Sequence, residues 1–154
     1  MATASTRSPP PSVDTIDTRY LETLLGYNAR RAALSIIEVF LQDMAQYDLR
    51  PVEFSVTSLI VHNPGITSRQ ICAALGLLPP NLVGLLNALE KRGLIERKPH
   101  PSDGRALGLH PTAACAEMMK KAEQTATQVE VQASAKLTTA ERKTLLRLLQ
   151  KVYR

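Results

Sequence analysis

The stretch LGLLPPNLVGLLNALEKRGLIERKPHPSDGRALGL, Leu75–Leu109, reads as one helix followed by a charged two-stranded hairpin. Leu82, Leu85, Leu86 and Leu89 recur at i, i+3, i+4 and i+7, which places them in a single apolar stripe. Asn81, Gly84, Asn87 and Lys91 fall on the other face. Pro79 and Pro80 suit a first helical turn, where a missing N–H is harmless, and Gly93 suits a left-handed cap. Beyond it, Leu94, Ile95, Leu107 and Leu109 flank Pro99, Pro101 and Ser102-Asp103-Gly104, turn residues between two short strands. A helix with small polar groups on one face, next to a basic hairpin, is shaped to lie in one DNA groove while the hairpin reaches its neighbour.

Upstream, Thr67 and Gln70 form a capping box and Ile66 can staple onto Ile71, which predicts a short helix ending near Ala74 to Gly76. That helix, the Gly76-Leu77-Leu78 turn and the helix from Pro79 make a helix-turn-helix whose second helix is the reader. Pro51 opens another helix, which Asn63-Pro64-Gly65 ends after His62. Leu21, Leu25, Ala32, Ile36, Phe40, Met44 and Tyr47 recur at helical spacing and predict one long helix over Asp17–Tyr47. Downstream, Thr112 to about Ala135 is helical in propensity, and Thr138 to Glu141 is a second capping box before a helix with Leu145, Leu148, Leu149 and Val152 inward. The expected organisation is a disordered Ser/Thr/Pro-rich arm over 1–14, a dimerisation helix over 15–48, a DNA-binding lobe over 49–111 and dimerisation helices over 112–154. The terminal helices carry aliphatic residues that a lobe of this size does not need, so a two-fold homodimer is expected, presenting two reading helices to a pseudo-palindrome.

Through LGL, LEKRGLIER, Asp103-Gly104-Arg105 and Leu109-His110-Pro111-Thr112, the chain resembles the MarR family of bacterial transcriptional regulators. The resemblance extends to Phe54 and Asn63-Pro64-Gly65-Ile66-Thr67, covers Leu49–Thr112 closely and reaches the flanking helices by pattern. It implies a mainly α, winged helix-turn-helix fold with a small two-stranded wing and N- and C-terminal dimerisation helices. It also implies bases faced by Asn81, Val83, Gly84 and Asn87, with Ser68, Arg69 and Gln70 near the DNA backbone. Either Asn could bond an adenine edge twice. Val83 and Gly84 stand where the family carries a hydroxyl residue and often an arginine, and Pro79-Pro80 replaces polar residues, so apolar contact and shape readout gain weight. In the wing, the permanently charged fork of Arg105 suits a narrow minor groove, with Asp103 orienting it. Lys91, Arg97 and Lys98 are expected on phosphates. Arg92 has Glu90 and Glu96 within reach as surface partners.

The 154 residues carry a formal charge of +5, more than half of it within Lys91–Arg105, which suits a polyanionic partner, double-stranded DNA. The N-terminus lacks the apolar core of a signal peptide and no membrane-spanning run occurs, so the expected location is the cytoplasm. Two cysteines, Cys72 and Cys115, make no disulfide framework, and neither metal-ligand spacing nor a catalytic or phosphate-loop motif is present, so no metal, cofactor or enzymatic activity is expected. The resemblance further implies a repressor released by a small aromatic or acyl-thioester effector, for which Tyr20, Tyr27, Arg30, Arg31, His62 and Met118 are candidates by placement. Two alternatives stand beside it, a thiol redox-sensing regulator through Cys72 or Cys115 and a winged-helix protein-interaction module.

Overall fold

The computed structural model describes residues 16–101 and 103–154, without the side chains of residues 103–105. The arm expected over 1–14 lies outside the described residues. The chain divides into an N-terminal unit through Leu34 and a larger unit over Ser35–Arg154. The single helix expected over Asp17–Tyr47 is broken into α1 (Arg19–Glu22), α2 (Leu25–Asp43) and a 3-10 turn, Met44–Tyr47. Thr23 Oγ1 donates to the Tyr20 carbonyl at 2.7 Å, and Asn28 Nδ2 donates to the carbonyls of Glu22 and Leu24, both at 2.8 Å. Short polar side chains thereby offer these carbonyls an alternative to the continuous helical ladder.

In the larger unit, α3 (Pro51–His62) starts on its proline and closes at Asn63, whose backbone and side-chain amides both donate to the Leu59 carbonyl at 2.9 Å. Its buried Val56 and Ile60 share one core with Cys115, Met119, Ala122 and Val129 of α6 (Ala113–Ala133). Phe40 meets Phe54 edge to face, with ring centroids 5.6 Å apart. The predicted capping box starts α4 (Ser68–Leu75), and Gly76 ends it in the left-handed conformation. α5 (Pro79–Lys91) buries Leu82, Leu86 and Leu89, with Leu85 half-buried. It ends at Gly93, φ +69°, where the N–H of Gly93 reaches the Glu90 carbonyl at 2.9 Å and that of Leu94 reaches Leu89 at 3.0 Å.

Strands β1 (Ile95–His100) and β2 (Asp103–Pro111) pair antiparallel, with Ile95 opposite Pro111, Pro99 opposite Leu107 and a register shift at Pro99–His100. Leu109 also bridges to Ile66: the Gly65 N–H donates to the Leu109 carbonyl at 2.8 Å and the Leu109 N–H to that of Ile66 at 2.9 Å. The base of the wing is thus tied to the loop before α4, while Leu107 stays exposed. Thr112 caps α6 and donates its hydroxyl back to the Gly93 carbonyl at 2.8 Å. α7 (Thr139–Tyr153) has the predicted capping box, but Leu145, Leu148, Leu149 and Val152, expected inward, are all exposed and the helix buries no residue. Periodicity marks an apolar face; what covers that face depends on partners, and the described residues supply none that buries it.

Gly108 in the wing and Gly84 in α5 make a paired test. A Cβ on Gly108 would meet the Gly65 carbonyl oxygen at 3.0 Å and its Cα at 3.1 Å, whereas one on Gly84 would meet nothing within 4 Å. Gly108→Ala is expected to cost about 1–3 kcal/mol through overpacking. Gly84→Ala, in mid-helix, is expected to gain about 0.5–1 kcal/mol. Urea unfolding midpoints check both signs.

Candidate nucleic-acid interface and cavity

α4 and α5 meet at a bend of 117°, the geometry of a helix-turn-helix. With its leucines turned inward, α5 leaves Asn81, Val83, Gly84, Asn87 and Lys91 exposed, Val83 at 55%. Pro79 and Pro80 are exposed at its start. Ser68, Arg69 and Gln70 lie exposed on the first turn of α4, where the Gln70 side-chain oxygen accepts from the Thr67 N–H at 2.9 Å. Part of the Gln70 amide is therefore engaged in capping.

The wing cations sort by their partners. Arg97, expected on a phosphate, is turned onto α5 in the isolated chain: Nη1 donates to Glu90 Oε2 at 2.6 Å and Nη2 to Asn87 Oδ1 at 2.7 Å. Its side chain is only 27% exposed. The guanidinium fork joins two groups that a lysine could not hold together in one plane. Arg92 pairs with neither Glu90 nor Glu96; it reaches Asp48 at 3.5 Å and the Tyr47 carbonyl at 3.3 Å, while Glu90 holds Arg97. Lys98 lies 2.6 Å from Glu96, both about half exposed, and holds the Glu96 carboxyl below its ordinary range through a hydrogen bond and its charge. The side chains of Asp103 and Arg105 lie outside the described residues, and the backbone places Asp103 opposite His100 at the far end of the hairpin.

A cavity of about 540 Å³ opens between the C-terminal half of α2, α3 and α6. Ile36, Phe40, Phe54 and Ala126 supply apolar wall, and Ser58, His62, Glu123 and Glu130 supply polar groups. Ser58 Oγ donates to Glu123 Oε1 at 2.8 Å, and His62 Nε2 lies 2.8 Å from the same oxygen. An ionised carboxylate only accepts, so His62 carries its proton on Nε2 in that pairing. Of the effector candidates, His62 lines this cavity, while Met118 packs half-buried against the core. Tyr20, Tyr27, Arg30 and Arg31 belong to the N-terminal unit, where all but the half-buried Tyr27 are exposed. Cys115 is fully buried and burial pushes its thiol up; Cys72 is half-buried.

Sequence reasoning missed the Arg97 strut, the Glu123 cluster and the wing-to-loop bridge. Gly108, between two leucines of a strand, was the one signal for the bridge, since a strand glycine marks close backbone approach.

The sequence model of the MarR family matches residues 47–106. A protein of Thauera aromatica named for transcriptional regulation of the hcr operon is 30% identical over 84% of this chain and 79% of its own length. Among solved structures, the transcriptional repressor CouR bound to a 23-mer DNA duplex is 37% identical, with a TM-score of 0.83 over 90% of this chain and 99% of that one. CouR from Rhodococcus jostii RHA1 bound to p-coumaroyl-CoA shares the fold at 23% identity, with a TM-score of 0.77 over 86% and 93%. The helix-turn-helix, the wing tied to its base and these likenesses, spanning nearly the whole described chain, lead to one conclusion: the chain belongs to the MarR family of winged helix-turn-helix transcriptional regulators.

Proposed function

We propose that this regulator is a homodimeric repressor of a pseudo-palindromic operator and leaves DNA when a small aromatic or acyl-thioester ligand enters the α2–α3–α6 cavity. One observation carries the DNA reading: burial of the α5 leucines leaves Asn81, Val83, Gly84 and Asn87 exposed beside a cationic hairpin. Val83 offers methyl contact to thymine, and Lys91, Lys98 and Arg69 are exposed for phosphates. The bare leucine face of α7 supports a two-fold interface, which would set two reading helices about one DNA turn apart. The DNA-bound relative at 37% identity favours this over a protein-interaction module.

The effector reading rests on the cavity, whose size falls within the roughly 300–1,000 Å³ of small-molecule sites. Linkage then requires the ligand to bind free protein more tightly than operator-bound protein, by the factor with which it weakens DNA binding. The thiol alternative draws no support from Cys115, since a sensing cysteine needs access and an accessible thiolate and burial opposes both there; it rests on the half-buried Cys72.

DNA selection with the full chain is expected to recover an inverted repeat. Affinity for it should fall roughly 10³- to 10⁵-fold between about 50 and 200 mM salt through counterion release. A flat salt response would reject the DNA reading. In the wing, Arg105→Ala is expected to cost about 1–3 kcal/mol of operator binding with folding intact; unchanged affinity would remove Arg105 from the interface. Arg97→Ala should broaden base preference at the position read by Asn87 while leaving the salt slope unchanged, since Arg97 holds Asn87. A slope reduced by about one, with preferences intact, would return Arg97 to a phosphate role.

A further inference from the structure

The polar end of the cavity has a chemistry of its own. Glu123 is about one-third exposed, and Ser58 and His62, both on α3, converge on one of its oxygens, Oε1. Its other oxygen, Oε2, has no hydrogen-bond partner among the described residues. The carboxylate is therefore held in place from α3 with one acceptor left over, in a pocket whose walls are Ile36, Phe40, Phe54 and Ala126. Among the described lining residues, the titratable groups are His62, Glu123 and Glu130, and the one group able to carry a positive charge is already paired with Glu123. Among the described lining residues, an entering carboxylate meets two carboxylates and no unpaired cation. A neutral hydroxyl meets a positioned acceptor.

We propose that Glu123, positioned by Ser58 and His62, is the acceptor that recognises a hydroxyl donor on an aromatic ligand, and that the same group excludes a ligand carboxylate from this end of the cavity. The proposal rests on the effector reading above and refines it: the ligand presents an uncharged, hydroxyl-bearing ring to the cavity, and any anionic portion lies elsewhere. Sites built to bond a substrate hydroxyl discriminate strongly against analogues that lack it. Because Glu123 keeps some contact with solvent, the expected preference is smaller, about 10- to 100-fold.

The test titrates the full chain with N-acetylcysteamine thioesters of para-hydroxybenzoate, benzoate and para-carboxybenzoate, comparing the parent, Glu123→Gln and Thr127→Trp. Thr127 lines the cavity from an exposed position, so tryptophan there obstructs the cavity without replacing a core residue. The parent is expected to bind the hydroxylated ester tightest and the carboxylated ester weakest, by about tenfold or more at each end. Glu123→Gln should bring the hydroxylated and unsubstituted esters within a few-fold and admit the carboxylated one, at an unchanged melting temperature. Thr127→Trp should weaken all three. An unaltered order of affinities in Glu123→Gln overturns the role of Glu123, and if Thr127→Trp still weakens all three esters, the effector cavity survives. Failure of every thioester to bind the parent, or binding indifferent to Thr127→Trp, overturns the cavity reading and this proposal with it.

Discussion

Burial of Leu82, Leu86 and Leu89 is the constraint on which the helix-turn-helix and the wing depend. Each leucine removed from water contributes about 1.5–3 kcal/mol, so any rotation of α5 that exposed this stripe would lose far more than its polar face could recover. The orientation of the helix about its axis is thereby set, and the identity of its outer face follows. Apart from Lys91 that face is made of small side chains, and it owes its exposure to the core beneath it. The chain leaves α5 through the left-handed Gly93, enters β1 directly with the buried Leu94 and Ile95, and is tied back through Leu109 to Gly65 and Ile66. Helix and wing are consequently parts of one packed lobe.

Charge at this edge is graded by burial. Lys98 and Glu96 form an exposed pair, and such pairs contribute at most about 1 kcal/mol, so Lys98 can exchange its carboxylate for a phosphate at little cost. Arg97 is more enclosed and bonded to two partners on α5, so the same exchange would leave Glu90 and Asn87 without it. The basic hairpin therefore contains two kinds of cation, one available to a polyanion and one that braces the helix. A count of charges along the hairpin treats them alike.

Away from the helix-turn-helix and wing, two features are left unfilled by the described residues. One is the leucine face of α7, which suits a second copy. The other is the cavity above Glu123, whose aromatic walls and single polar cluster suit a small molecule better than a polypeptide segment. The distinction is physical. A broad apolar face gains from burying area, whereas a concave site with one positioned acceptor gains from a shaped ligand with a donor in the right place.

What the sequence by itself determined is governed by contacts a few residues apart, although the break after α1, where Thr23 and Asn28 take nearby carbonyls, is equally local and escaped the periodicity. The Thr67–Gln70 and Thr138–Glu141 capping boxes, the proline starts of α3 and α5, the left-handed stop at Gly93 and the apolar stripe of α5 all act through neighbours within one or two turns. Only the tertiary structure decided the rest. It brought Arg97 to Asn87 across ten residues, Ser58 to Glu123 across sixty-five, and Gly108 onto Gly65. Periodicity states which face of a helix is apolar and capping states where it begins, because both are local properties of the chain. Which partner a charged group or an apolar face meets depends on distances in space, and those exist only once the core has set the helices against one another.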